Sequence, residues 1–245
     1  MSGGPADRVV VTGMGAVTAL GNDVASTWDG LTAGRSGVRT IESFDPARLT
    51  SRIAAQARDV DGSRVLDRKE LRRTDRYILL ALVAAREAMD QAGLPERLEG
   101  ELAEDTGVIL GTGLGGVETL VANIETNIER GPDRLSPFFI PMAIPNIGAG
   151  QIAMSFGPLG PNFAVSSACA TGGHAIGEAW ETIRRGDAAM MLAGGTESGV
   201  LEPLVGGFCA MRALSTRNDD PAGASRPFDS RRDGFVMGEG SAVLV

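Results

Sequence analysis

An α/β fold is predicted by three features of the chain. Short apolar runs alternate with amphipathic stretches along the whole length. The 34 glycines among 245 residues cluster between those runs, which excludes collagen-like repetition and low-complexity disorder. Aromatic residues make up only 4%, so the core is built from aliphatic side chains and alanine. The length suffices for one large domain or two small ones. With neither linker nor internal repeat in view, one domain over residues 1–245 is expected.

Residues 8–13, Arg-Val-Val-Val-Thr-Gly, read as a buried first strand entering a glycine-rich turn. Residues 23–33 read as a short helix, and 34–64 as a polar, irregular stretch around Pro46 with an edge hairpin. The clearest helical period covers 71–92, where Ile78, Leu82, Ala85 and Met89 share a face and Gly93 closes the end. A buried strand over 106–110 leads through a glycine turn into a helix over 117–129. Three prolines and two phenylalanines make 136–145 a rigid loop rather than a strand, and 146–155 a small-residue helix follows. A third strand, 162–167, runs straight into 168–173 and a helix ending at Arg185. Residues 188–193 form a fourth strand, 202–232 a long loop, and 241–245 a last strand. A buried strand at the C-terminus suggests a polypeptide cut at a half-way point.

The formal net charge of −8 argues against nucleic acid or an anionic membrane surface as partner. No apolar run is long enough to span a membrane, and the first eight residues lack an apolar signal core. A cytosolic protein with reduced thiols is therefore expected. Two cysteines make no disulfide framework, and the interval from Cys169 to Cys209 is no metal pattern. A single histidine excludes a His-rich metal site or a pair of histidine catalysts within this chain.

Four motifs carry chemistry. Residues 111–116 satisfy G-x-G-x-x-G between a strand and a helix, the setting of a dinucleotide turn. No acidic residue follows at a strand tip about 20 positions on, so a tight turn lining a pocket fits better. Cys169 is delivered by a strand to a sharp turn before a helix of small residues. There the helix macrodipole and unpaired amides favour the nucleophilic thiolate. A buried structural cysteine is the alternative reading. His174, five residues on, lies about 140° around the helix from Cys169 and reads as a satisfied core histidine. Arg68, Lys69, Arg72, Arg73 and Arg76 crowd what reads as the start of a helix, where cations oppose the macrodipole. They form either a solvated face or a docking patch for an acidic partner.

At these residues the sequence resembles the β-ketoacyl-acyl-carrier-protein synthases, the elongating condensing enzymes of type II fatty-acid synthesis. The resemblance is most specific at Val165-Ser166-Ser167-Ala168-Cys169-Ala170-Thr171-Gly172. It extends through Ser136-Pro137-Phe138-Phe139, Ala193-Gly194-Gly195-Thr196-Glu197, Ala213-Leu214-Ser215-Thr216-Arg217-Asn218 and Arg232-Asp233-Gly234-Phe235. It implies the N-terminal half of a thiolase-like fold, a mixed sheet sandwiched by helices, assembled as a homodimer without cofactor or metal. By the same resemblance Cys169 receives the acyl chain as a thioester, and its backbone N–H is one oxyanion donor. Leu114 and Phe208 then line the acyl pocket, while Phe139 and Ile140 are contributed to a partner subunit's pocket wall. Lys69, Arg72, Arg73, Arg134 and Arg212 match basic positions that meet the acyl carrier protein. Asp133 departs from that pattern, since the family often has a second basic residue there. The family's two catalytic histidines belong to a second half. The resemblance thus leaves open a catalytically incomplete docking or assembly unit, and a polyketide-type ketosynthase subunit.

Overall fold

The computed structural model describes residues 8–245; residues 1–7, read above as lacking a signal core, lie outside it. In chain order the elements are β1 Met14–Val17, α1 Val24–Thr32, β2 Arg39–Thr40, β3 Ile53–Ala54, α2 Arg68–Leu71 and α3 Arg76–Gln91. Then come α4 Gly100–Glu104, β4 Thr106–Gly111, α5 Val117–Arg130, α6 Phe139–Ala143 and α7 Ile147–Phe156. The rest are β5 Asn162–Val165, α8 Thr171–Arg185, β6 Met190–Glu197, α9 Glu202–Ala210 and β7 Gly240–Leu244. Contacts gather the chain into two compact units. One holds Asp61–Glu197, Ser241–Val245 and the residues up to Ala16, the other Val17–Val60 and Ser198–Gly240. Among the described residues no helix is long and apolar enough to cross a membrane.

The first unit is built on a five-stranded sheet of order β1-β7-β6-β4-β5. Strand β4, second from one edge, runs parallel to both neighbours, with Gly111 opposite Val165 of β5 and Gly195 of β6. All its positions are buried, which requires cover on both faces and explains a run of apolar residues without alternation. Helices α7 and α8 supply that cover, and α3 packs on β6 and α7. On α3 Ile78, Leu80, Leu82 and Met89 are fully buried. Burial of each is worth about 1.5–3 kcal/mol. Segment 13–15 lies directly on this helix: a Cβ on Gly15 would stand 1.9 Å from the Ala84 carbonyl oxygen. Only glycine allows that approach.

The second unit is less regular. Strands β2 and β3 pair antiparallel, Arg39 opposite Ala54 and Thr40 opposite Ile53, which is the hairpin expected within 34–64. Its core joins Ile41, Ala54, Val200, Val205, Leu214 and Met237. Asp233 ties its loops together: it accepts from the Ser215 hydroxyl at 2.7 Å, the Thr216 amide at 2.9 Å and Arg226 at 2.9 Å. The Ser215 bond leads in holding the Asp233 carboxyl below its ordinary pKa, with the Thr216 amide and Arg226 adding to it.

Four expectations are corrected. The first strand begins at Met14, not at Arg8, and Val10 and Val11 are 66% and 58% exposed. The backbone beside β7 reaches back only to Thr12 and Gly13, both bonded to the Val245 carbonyl, so the valines before them gain no neighbour strand from it. The helix expected over 71–92 starts only at Arg76, after a separate short helix, α2, that ends at Leu71. Asp75 sets that start by accepting from the Tyr77 amide as the N-cap of α3, while Asp67 and Glu70 form a capping box on α2. The loop expected at 136–145 contains α6, and the loop expected at 202–232 begins with α9. Pro141 and Pro203 sit in first turns, where a helix lacks amide partners anyway, so proline does not prevent either helix.

Candidate active site

Strand β5 ends at Val165, a single 3-10 turn covers Ala168–Ala170, and α8 starts at Thr171. Cys169 sits on that turn with its thiol exposed, so the buried structural reading does not hold. The turn is strained: Ala168 has φ +51°, a left-handed conformation unfavourable for a residue with a Cβ. Such strain costs about 1–2 kcal/mol and persists only where neighbours enforce it. Here buried Thr171 enforces it. Its hydroxyl oxygen accepts from the Ser167 amide at 2.8 Å and donates to the Ala168 carbonyl at 2.5 Å. The Ala170 amide donates back to the Ser167 carbonyl at 3.2 Å. Helix α8 has no side-chain cap at its N-terminus and no acid in its first turn. Its positive end is therefore directed toward the turn that carries the thiol.

His174 is exposed, which corrects its reading as a core histidine. Its Nδ1 lies 2.6 Å from the Ser167 hydroxyl.

Next to this turn, at the end of β4, lies the glycine turn. A dinucleotide site would leave its amides open, but they are taken from within. The Gly113 amide donates to Glu197 Oε2 at 2.8 Å, and the Gly115 amide to Thr112 Oγ1 at 3.0 Å. The Thr112 hydroxyl stands 3.5 Å from Glu197 Oε1. Gly115 has φ +72°, and a Cβ on Gly116 would meet the Met142 carbonyl oxygen at 1.9 Å. The turn thus packs on α6 and holds no pyrophosphate. It is tied to the Cys169 turn by a 3.4 Å bond from the Ser166 hydroxyl to the Gly113 carbonyl. Leu114 projects from it, 50% exposed.

The remaining residues divide between the units. On α6, Phe139 is half-buried and Ile140 is 61% exposed. Phe208 lies in the second unit on α9, its ring edge-on to Phe235 at 5.2 Å and 85°. Lys69 is on α2, and Arg72 and Arg73 lie in the break before α3. That placement removes most of the conflict with a helix macrodipole, leaving Arg76 as the cation at the start of α3. Arg72, Arg73 and Arg76 line a groove of about 380 Å³ together with Glu118 and Phe138. The Arg73 guanidinium stacks 4.6 Å above the Phe138 ring. Arg134 is exposed on the turn Pro132–Arg134. Arg212 belongs to the second unit, at φ +55°, beside a cavity of about 460 Å³ that Cys209 and Asp233 also line.

Sequence reading missed the contacts of Glu197 and the pairing of Ser167 with His174. Glu197 and its glycine amide are 84 positions apart, and no local pattern joins them.

An exposed thiol on a parallel strand-to-helix elbow is a suitable setting for a sulfur nucleophile. The chain belongs to the family described as β-ketoacyl synthase, N-terminal domain, which matches residues 6–245. Its fold is the N-terminal part of a thiolase-like α/β fold. It is 45% identical over 238 residues to 3-oxoacyl-[acyl-carrier-protein] synthase 2 of Coxiella burnetii, covering 97% of this chain and 57% of that one. It is also 45% identical to the chloroplastic synthase I of Arabidopsis thaliana, covering 98% and 51%. A β-ketoacyl synthase from Burkholderia phymatum superposes with TM-score 0.84 at 36% identity, covering 97% and 58%. A type II polyketide ketosynthase in complex with its acyl-carrier protein superposes with TM-score 0.81 at 30% identity, covering 97% and 57%. The chain thus spans a little over half the length of the relatives it matches.

Proposed function

We propose that this chain is the acyl-accepting half of a 3-oxoacyl-[acyl-carrier-protein] synthase of fatty-acid elongation, a single functional domain over residues 1–245. The observation that carries the proposal is the exposed thiol of Cys169 on a strained elbow at the N-terminus of the 15-residue helix α8. In the first half-reaction the Cys169 sulfur attacks the thioester carbonyl of an acyl-carrier protein. A new thioester forms and the carrier thiol leaves with the proton. The backbone N–H of Cys169 is the oxyanion donor of that step. In the second, malonyl-carrier protein loses carbon dioxide, the resulting carbanion attacks the Cys169 thioester, a carbon–carbon bond forms, and the cysteine thiolate is released. Decarboxylation belongs to the two histidines that the resemblance assigns to a second half. The single histidine of these 245 residues favours loading, docking or assembly as what they do unaided.

Leu114, Phe139, Ile140 and Phe208 are the acyl-pocket residues in this reading. Lys69, Arg72, Arg73, Arg134 and Arg212 meet an acidic carrier protein, which the groove beside Arg72 and Arg73 supports. A second copy of the chain covers edge strand β5 and the exposed stripe Leu120, Ile124 and Ile128 of α5. The enzyme acts in the cytoplasm. A polyketide carrier protein would replace the fatty-acid one if the pathway differs, as the ketosynthase neighbour suggests. The test is intact-mass spectrometry after incubation with acyl-carrier protein. One acyl mass is expected, lost in Cys169→Ala; an unchanged mass on folded protein refutes the proposal.

A further inference from the structure

We infer that His174 is a positioning residue for the nucleophile, acting through Ser167 to hold the turn that presents Cys169. The inference rests on the reading of Cys169 as acyl acceptor. Ser167 is where the chain leaves β5, and its main chain is already held. Its amide is bonded to Thr171 Oγ1 and its carbonyl accepts from the Ala170 amide. Its hydroxyl completes the set through His174 Nδ1 at 2.6 Å, one turn into α8. The next residue, Ala168, keeps φ +51° without being glycine. A conformation of that kind survives only where its surroundings over-determine it. The Ser167–His174 bond joins the strand side of the elbow to the helix, as Thr171 does from the opposite direction. Both side chains are exposed, so burial does not force the pairing. With the bond removed, the turn relaxes toward ordinary backbone geometry. The Cys169 side chain is then no longer held in the place where the elbow presents it, on the N-terminal side of α8. His174 needs no contact with sulfur or substrate for this. The hydroxyl between them carries the effect.

The two cysteines provide the measurement, because Cys209 lies half-buried in the other unit and reports on folding. The folded chain is alkylated with iodoacetamide, and the rate at Cys169 relative to Cys209 is followed by peptide mass spectrometry. Ser167→Ala and His174→Phe are each expected to lower that ratio about fivefold, the worth of one hydrogen bond. His174→Asn, whose amide reaches the place of Nδ1, is expected to restore it to within about twofold. An unchanged ratio in Ser167→Ala and His174→Phe overturns the inference. So does an equal loss in His174→Asn, which would mean that the bond is not the cause. Should a histidine variant unfold, a raised rate at Cys209 reveals it, and Ser167→Ala decides alone. If the ratio responds as expected but unaltered protein accepts no acyl mass, the acyl-acceptor reading fails and the positioning role stands.

Discussion

Strands β4 and β5 are parallel neighbours, and each hands the chain to a helix through a short turn, 112–116 in one case and 166–170 in the other. The two turns are even bonded to each other through Ser166 and Gly113. Their chemistry differs because of what occupies them. In the glycine turn the Glu197 carboxylate sits on the Gly113 amide, and backbone at φ +72° is supplied by glycine without strain. In the cysteine turn the ties come from the Thr171 hydroxyl and the Ser167–His174 pair, and the left-handed position is held by an alanine under strain. One turn is a filled joint; the other presents an exposed thiol. Sequence motif alone does not decide between these fates, because the deciding group for the first turn arrives from β6.

The comparison can be broken at its packing. Gly116→Ala places a Cβ against the Met142 carbonyl and is expected to destabilise the chain by about 3 kcal/mol. Urea denaturation measures it, and a loss below about 0.5 kcal/mol would mean that the glycine turn is not seated on α6 as described. Removing the internal anion comes next. Glu197→Ala strands the Gly113 amide and should cost about 1–3 kcal/mol, with Glu197→Gln recovering part because its amide oxygen still accepts. Equal stability of the alanine variant and the unaltered chain in the same denaturation experiment would dissolve the distinction between the turns.

Exchanging the strained positions is subtler. Gly115→Ala should cost about 1 kcal/mol, since a Cβ is placed at positive φ. Ala168→Gly should change stability by only about 0.5 kcal/mol, because relief of strain is offset by added freedom of the unfolded chain. Thermal melts of the two variants would show the asymmetry, and equal and large losses in both would contradict it. The smallest effect tests whether a carboxylate seated on an amide and a hydroxyl is also structural in the second unit. Asp233 is depressed in the folded state, so its contribution is complete above the unfolded carboxyl pKa. That contribution disappears as pH falls below about 4, through the lower folded value. Asp233→Asn should flatten the acid limb of a stability–pH curve; an unaltered limb would remove Asp233 from the account.

Much of this was legible from residue order. The helical period over 78–89, the buried run at β4, the hairpin within 34–64 and the setting of Cys169 all rest on neighbours in sequence. They follow from periodicity, from glycine placement and from cap residues, which act over a few positions. Strand-like valines at 9–11 misled because β-propensity needs a partner strand, and partners are chosen by the sheet. Helices α6 and α9 were hidden because proline reads as a breaker until its place within the first turn is known.

Determined by sequence alone are the α/β class, the nucleophile candidate at Cys169, the acidic surface and the family resemblance. Tertiary structure alone decided that Glu197 fills the glycine turn, that His174 holds Ser167 rather than packing in the core, and that the basic residues flank a break between two helices. The physical reason is range. Propensity and capping act within a few residues, whereas a hydrogen bond that closes one turn and leaves its neighbour open joins residues that only the folded sheet brings together.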